Sequence, residues 1–294
     1  MISEQHIITR KMTEHLIKAR SKHILNMDVY LTNYCNLNCH GCNRWCNIAK
    51  NKQIYDTDKL CKDILTVTSR IKNVYSICLA GGEPLIHPDI TQIVKFLDDV
   101  RKQHNISGIY IFTNGKKLLS LPDEFFKVMH ETDTRIIYTY YNKSNINYDE
   151  IRRRLTDEKI KFKNVNATWG LPENSPKDIF SITKFILPGK TRHSLATFLH
   201  CGCNDSVNLW QSKIYKCDKI GFIDTLNDNF GTDFKLIEND DYLPVDKCEE
   251  QTLFKWALDS SNFCNTYCRL AECYSEPWHV GKTLKDEIIE YKTI

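Results

Sequence analysis

The run Met27-Asp-Val-Tyr-Leu-Thr-Asn-Tyr-Cys-Asn-Leu-Asn-Cys-His-Gly-Cys42 carries an apolar stretch directly into three cysteines. Cys35, Cys39 and Cys42 form a CxxxCxxC triplet packed into eight residues. Three thiolates this close can ligate three corners of one inorganic cluster. A four-iron cubane held in this way keeps one iron without a protein ligand. An open coordination position marks a catalytic metal site, whereas a structural site is closed. Zinc is the alternative, with ligand pairs commonly spaced CxxC, but a three-residue gap followed by a two-residue gap is unusual for it.

Downstream of the triplet the chain alternates. Asp56 or Thr57 can cap a helix whose apolar positions Leu60, Ile64, Val67 and Ile71 recur at helical spacing. Val74–Ala80 reads as a buried strand ending at Gly81-Gly82, and Pro88 opens a helix with Ile90, Ile93, Val94, Leu97 and Val100 on one face. Gly108–Phe112 is a strand ended by Thr113-Asn-Gly115. A short helix near 122–130, a strand over 135–141, a helix near 148–159 and a strand near 162–167 continue the pattern. Strands alternating with helices predict a parallel sheet with crossover helices. Residues 1–26 read as a lead-in helix. Past Gly189 the rhythm fails, which places a boundary near residue 192 and leaves 193–294 as a smaller cysteine-rich unit, with 224–241 read as a loop.

With 41% hydrophobic and 26% charged residues over 294 positions, the composition is that of an ordinary globular protein able to bury a sizeable core. A net charge of +3 is too mild to argue for nucleic acid or membrane binding. The sequence shows neither a signal-peptide pattern nor an apolar run of the ~20 residues a membrane span needs, so a cytoplasmic protein is expected. In a reducing cytosol, thirteen cysteines point to metal or catalytic roles rather than disulfides.

Three unusual loops fall at one topological place, each after a predicted strand: the cysteine loop, Gly81-Gly-Glu-Pro84, and Thr113-Asn-Gly115. In parallel α/β folds the ligand site lies at the carboxyl ends of the strands. Each dipeptide turn is commonplace alone; together they would converge on one pocket, with Glu83 able to accept a charge-assisted bond from a ligand ammonium. These motifs resemble the signature of the radical S-adenosylmethionine (radical SAM) superfamily. CNLNCHGC resembles its cluster loop, with Gly41 where an aromatic residue is frequent. GGEP resembles the motif that binds the methionine amino group, and TNG a later motif beside the nucleoside.

The resemblance covers roughly residues 27–187 and implies an α/β fold, a partial (β/α)6 radical SAM barrel over 27–192 with a smaller cysteine-rich C-terminal domain. It implies that Cys35, Cys39 and Cys42 hold a 4Fe–4S cluster whose open iron binds SAM. Gly81, Gly82, Glu83, Pro84, Thr113 and Asn114 would then line the cofactor. Electron transfer from an external donor such as flavodoxin or ferredoxin would cleave SAM to a 5′-deoxyadenosyl radical that abstracts hydrogen from a substrate C–H bond. The later cysteines resemble the twitch or SPASM extension, which binds an auxiliary 4Fe–4S cluster. Leu209-Trp-Gln-Ser-Lys-Ile-Tyr-Lys-Cys217 follows its L-x-x-G-K-I-Y-x-C run, with Ser212 in the glycine position. The expected auxiliary ligands are Cys203, Cys217, Cys264 and Cys268, with Cys201 and Cys273 as alternates and a structural zinc site as the competing reading.

Only some 26 residues precede the first strand, too few for the peptide-recognition domain of many peptide-modifying relatives. The expected substrate is therefore small, polar and carbohydrate-like, undergoing oxidation or epimerisation, with modification of a ribosomal peptide as the alternative. In an epimerisation Cys46 or Cys248 is a candidate hydrogen donor. A non-catalytic iron–sulfur or zinc protein is the reading from another class, and it must treat GGEP and TNG as coincidental turns. Cys61 and Cys78 read as core residues, His40 and His87 as surface or supporting groups, and Tyr138, Tyr140 and Tyr141 as pocket candidates.

Overall fold

The computed structural model describes residues 25–71, 74–104, 106–141, 144–166, 179–187, 201, 206–257 and 260–291. The lead-in helix expected over 1–26 falls almost wholly outside these residues, as do the boundary near 192 and Cys203. Strands β1 (Leu25–Tyr30), β2 (Val74–Ala80), β3 (Gly108–Thr113), β4 (Arg135–Tyr140) and β5 (Phe162–Asn166) lie side by side and parallel. They are linked by crossover helices α1 (Thr57–Arg70), α2 (Ile90–Gln103), α3 (Asp123–Glu131) and α4 (Tyr148–Asp157). The α/β class and the parallel partial barrel expected from the sequence are both present.

Helix α1 starts where its cap predicts. Asp56 accepts from the Lys59 amide at 2.9 Å, satisfying one of the donors that a helix start leaves free. Leu60, Ile64 and Val67 of α1, Ile93, Val94 and Leu97 of α2, Phe125 and Val128 of α3, and Ile151 and Leu155 of α4 are buried. They cover one face of the sheet, formed by Met27, Val29, Ile77, Leu79, Ile109, Ile111, Ile136 and Tyr138, all fully buried. Strand geometry sends alternate residues to the other face. That face is polar: Asp28 is in register with Cys78 on β2, and Cys78 with Tyr110 on β3.

The sixth chain segment in strand conformation, β6 (Ile179–Leu187), does not extend this sheet. It pairs with β10 (Cys268–Pro277) and β11 (Ile289–Tyr291) in a separate three-stranded sheet. The sixth parallel position is taken by β7 (Ser206–Trp210), which lies against β1 and continues into antiparallel β8 (Lys213–Tyr215) and β9 (Tyr242–Pro244), giving the order β5-β4-β3-β2-β1-β7-β8-β9. The cysteine-rich region is thus built onto the barrel edge that carries the cysteine loop. Within 224–241, a helix replaces the expected loop over Ile223–Phe230, ended by Gly231 in the left-handed conformation at φ 62°. Its Asn227 side chain bonds the Phe234 amide and carbonyl. The Asn and Asp residues that suggested a loop fasten the end of a helix instead.

The β7–β8 turn explains the departure at Ser212. Trp210 and Lys213 are paired, leaving a two-residue loop, and Gln211 and Ser212 both take positive φ (49° and 60°), the geometry for which glycine is favoured. Ser212 offsets that strain through the barrel: its amide donates to the Tyr55 hydroxyl at 2.5 Å, its Oγ donates to Asp63 on α1 at 2.6 Å, and Tyr55 donates to the same carboxylate. Ser212→Ala keeps the strained turn but removes a bond to a buried charge. Denaturant unfolding should show a loss of about 1.5–3 kcal/mol; an unchanged midpoint would mean this latch contributes nothing.

Candidate active site

The three loops singled out in the sequence meet at the carboxyl ends of β1, β2 and β3, and they meet backbone to backbone. Gly82 N donates to Thr32 O at 2.6 Å and Glu83 N donates to Tyr34 O at 2.8 Å. A Cβ on Gly82 would lie 2.1 Å from the Tyr34 carbonyl oxygen, and one on Gly81, whose φ is +133°, 2.5 Å from Thr32 O. Glycine is required at both positions because another main chain occupies the space of a side chain. The preceding Thr32-Asn33 pair anchors the other side: Thr32 Oγ1 donates to Gln53 O, and Asn33 exchanges bonds with Asn51 and Gln53.

Glu83 is placed differently from the sequence expectation. It is fully buried, and its carboxylate accepts from Thr113 Oγ1 (2.6 Å), Asn114 N (2.9 Å) and Leu85 N (3.1 Å). Those bonds lock the GGEP turn to the TNG turn, leaving the side chain as a bolt between loops rather than a group facing a ligand. Asn114 carries the connection onward, with Nδ2 2.8 Å from Asn36 Oδ1 and 3.5 Å from Cys35 Sγ. Burial raises the Glu83 carboxyl to about 7, against the lowering effect of its three donors.

The cysteine loop is enclosed. Cys39 is buried, while Cys35 and Cys42 are half-buried. Burial pushes the Cys35 thiol upward, and it pushes Cys39 up to about 12 against the pull of Trp278 and Tyr141 at its sulfur. Cys42 is held below the ordinary thiol range, first by the neighbouring Cys46 thiol, then by the amides of Cys46 and Arg44 and the Arg44 charge, against burial, while Cys46 Sγ itself reaches Arg44 O at 3.7 Å. The three sulfurs influence one another electrostatically. Among the described residues, however, they do not form a group with all ligand atoms within 4.8 Å. Thiolates around one zinc ion would stand ~3.8 Å apart with ~2.3 Å bonds. Three buried or half-buried thiols in one loop, with thiolate-favouring groups at Cys42, are a donor set that a multi-iron cluster can use.

Arg44 links the loop to the rest. Its guanidinium donates to Gly81 O at 3.2 Å, lies 4.9 Å from the Tyr30 ring centre and 3.9 Å from Asp218. Burial disfavours its charge, but Tyr30, Asp218 and Asp28 outweigh that effect. Below it the polar sheet face continues: Tyr30 donates to Asn208, Ser206 Oγ donates to Asp28 at 3.2 Å, and Arg135 donates to the Tyr110 hydroxyl at 3.3 Å. Cys78 faces this side, half-buried near Asp28 and Arg44, not the apolar core assigned from sequence.

Other assignments shift as well. Cys61 borders an open surface groove beside Leu65 and His104, and His87 is a buried pin whose Nε2 meets Tyr55 O at 2.8 Å. Tyr138 belongs to the helix-covered face, stacked on Tyr148, and it is Tyr141 that reaches the cysteines. Of the two candidate hydrogen donors, Cys46 lies against Cys42. Cys248 is fully buried at the opposite end of the sheet, its carbonyl bonded by Arg70 at the end of α1, so the fold does not bring it to this rim. Cys217 opens a short helix, α5 (Asp218–Gly221), Cys264 lies in another short helix (Asn262–Thr266) and Cys268 starts β10; they and Cys201 are half-buried. Cys203 and the side chain of Cys273 lie outside the described residues.

Trp278 is the participant that sequence reading missed. It follows β10, is buried, and packs on Tyr141 with ring centres 4.9 Å apart. No local signal announces it, since its partner lies far away in the chain.

Glu83→Gln replaces one acceptor oxygen by a donor that must confront another buried donor. It should cost about 1–3 kcal/mol and weaken ligand binding at the rim without touching the ligand. Because the folded Glu83 pKa lies above its ordinary value, its contribution to stability is present at low pH and is lost as pH rises from about 4.5 to about 7. Unfolding midpoints across that window should show this component in the wild type and lack it in the variant. Superimposable profiles would contradict the assignment.

Comparison with known proteins bears on this site directly. The model of the radical SAM superfamily matches residues 29–186, more than half of the chain. A probable GTP 3′,8-cyclase of Methanocaldococcus jannaschii is 27% identical over 144 residues, 49% of this chain and 43% of the relative. The 7,8-dihydro-6-hydroxymethylpterin dimethyltransferase of the same organism is 28% identical over 121 residues, 40% of this chain and 22% of the relative. The chain therefore spans less than half the length of these curated relatives. Among solved structures, BtrN in complex with AdoMet and 2-DOIA superimposes with a TM-score of 0.43 at 14% identity, over 67% of this chain and 74% of that one. With the matched span running from β1 into β6 and enclosing all three rim loops, the chain belongs to the radical SAM superfamily.

Proposed function

We propose that the chain is a radical SAM enzyme that removes a hydrogen atom from a small, polar, carbohydrate-like substrate, leading to oxidation or epimerisation. Cys35, Cys39 and Cys42 would hold the 4Fe–4S cluster, and Gly81, Gly82, Pro84, Thr113 and Asn114 would frame SAM, with Glu83 fastening the frame. When bound, the cluster and SAM supply the radical chemistry; the protein supplies orientation and exclusion of side reactions. An external electron donor such as flavodoxin or ferredoxin completes the requirement. Cys203, Cys217, Cys264 and Cys268, with Cys201 and Cys273 as alternates, are proposed to hold an auxiliary 4Fe–4S cluster, suited to receive the second electron of an oxidation. No helix among the described residues is long and apolar enough to cross a membrane.

The observation that carries the substrate class is the polar inner face beneath the rim. Asp28, Tyr30, Asn208, Arg44 and Asp218 lie close together there, offering charged acceptors and a charged donor within the reach of one small molecule. A hydroxyl-rich molecule can exchange hydrogen bonds with such groups, whereas an apolar one offers charged and polar side chains nothing in return for their desolvation. The GTP named in the curated relatives is itself a polar, ribose-bearing molecule. In an epimerisation a thiol would return the hydrogen atom, and Cys46 is the proposed donor, a role its position beside Cys42 supports.

The test is isotopic. Under anaerobic reduction with SAM, a panel of perdeuterated amino sugars and aminocyclitols should deliver deuterium into 5′-deoxyadenosine. Asp28→Asn should raise the substrate KM about tenfold or more while leaving substrate-independent SAM cleavage unchanged. Deuterium arriving only from a labelled peptide would overturn the carbohydrate assignment.

A further inference from the structure

The cysteine loop has an outer side, and a second set of ligand-type side chains gathers on it. His40 lies between Cys39 and Cys42 and is almost wholly buried, at 6% exposure. Its Nδ1 faces Glu276 Oε1 at 2.5 Å and its Nε2 faces Glu287 Oε2 at 2.8 Å. The His279 ring stacks on it, centres 4.5 Å apart, with Nδ1 3.8 Å from the same Glu276 oxygen. Ligand atoms of His40, Glu276 and His279 lie within 4.8 Å of one another, and among the described residues no other three His, Cys, Asp or Glu side chains do so. Glu276 and His279, with Trp278 and Val280, line an open cleft of about 400 Å³.

We propose that His40, Glu276 and His279 form a divalent-cation site of zinc type on the outer side of the cysteine loop. Two imidazoles and one carboxylate are a zinc ligand set, and three protein ligands leave a fourth position open, with Glu276 and His279 bordering the cleft. Tetrahedral bonds of ~2.0–2.1 Å put ligand atoms ~3.3 Å apart, between the 2.5 and 3.8 Å separations now present. With all three ligand atoms within 4.8 Å of one another, an ion needs shifts of up to about 1.5 Å, plus a turn of the His279 ring, for which its 53% exposure leaves room. Glu287 supplies the outer partner that such sites use: a carboxylate on the far ring nitrogen fixes the tautomer and presents Nδ1 to the metal.

The site is distinct from the three cysteines in chemistry, since it offers nitrogen and oxygen donors rather than thiolates. It also has a consequence for them. Glu276 and His279 belong to the segment that crosses the cysteine loop, where His40 N donates to His279 O (3.1 Å), Gly281 N to Asn38 O (2.8 Å) and Gly41 N to Thr283 Oγ1 (2.9 Å). A bound ion would clamp that segment over Cys39. The site does not depend on the proposed radical reaction and is tested without it.

The full chain, anaerobically reconstituted with iron and sulfide and washed with chelator, is dialysed against zinc and analysed for both metals. The expected result is one zinc ion per chain beyond the iron, with affinity falling at least tenfold in His279→Ala and about 10–100-fold in Glu287→Gln, iron content and circular dichroism being unchanged. Cobalt in place of zinc should show d–d bands without thiolate-to-cobalt charge transfer. No zinc uptake in the wild type, equal uptake in His279→Ala, or a thiolate charge-transfer band would overturn the site and leave the cluster as a metal-free clamp between loop and strap.

Discussion

Everything at the rim depends on one close approach of two main chains. Gly82 N bonds Thr32 O and Glu83 N bonds Tyr34 O, which places the GGEP turn in van der Waals contact with the start of the cysteine loop. No side chain fits between them, so the sequence at 81–82 is dictated by space and, at Gly81, by a backbone angle that other residues rarely adopt. The contact sets where Cys35 begins. Glu83 then transmits it to Thr113 and Asn114, and Asn114 returns to Cys35. Three loops from three strands form a closed circuit, in which a buried carboxylate is stabilised by three donors at the cost of its desolvation.

The second constraint comes from the far end of the chain. Strand β7 pairs with β1, and Asp218, beside Cys217, faces Arg44 in the cysteine loop. From the outside, the segment after β10 crosses the loop through His279 and Gly281, with Trp278 buried over Cys39. The cysteine loop is thus held from below by the GGEP turn, from within by Arg44 and from outside by the strap. This arrangement gives the C-terminal region a physical role at the barrel site, independent of any metal at its cysteines.

The barrel elements and the rim were legible because each rests on local rules. Caps, 3.6-residue periodicity and strand-end glycines place α1 through α4 and β1 through β5, and the triplet, GGEP and TNG mark one rim. What escaped reading was long-range. The pairing of β7 with β1, the separation of β6 into another sheet, and Trp278 over Cys39 each join residues far apart in the chain, where spacing carries no signal. Chemistry misled in two places. Glu83 looks like a ligand-facing carboxylate until its three buried donors are seen, and Cys78 looks like core until the register shows it beside Asp28. At Ser212 the departure from glycine is intelligible only once Asp63 and Tyr55 are in place.

The most direct test is SAM cleavage by anaerobically reconstituted wild type and Gly82→Ala, scored as 5′-deoxyadenosine per iron. The wild type should release 5′-deoxyadenosine, and the variant should keep its helical signal and iron while losing SAM binding and cleavage, because the added methyl forces the two loops apart. Cleavage at the wild-type rate in an iron-loaded Gly82→Ala would contradict the claim that this crossing builds the site.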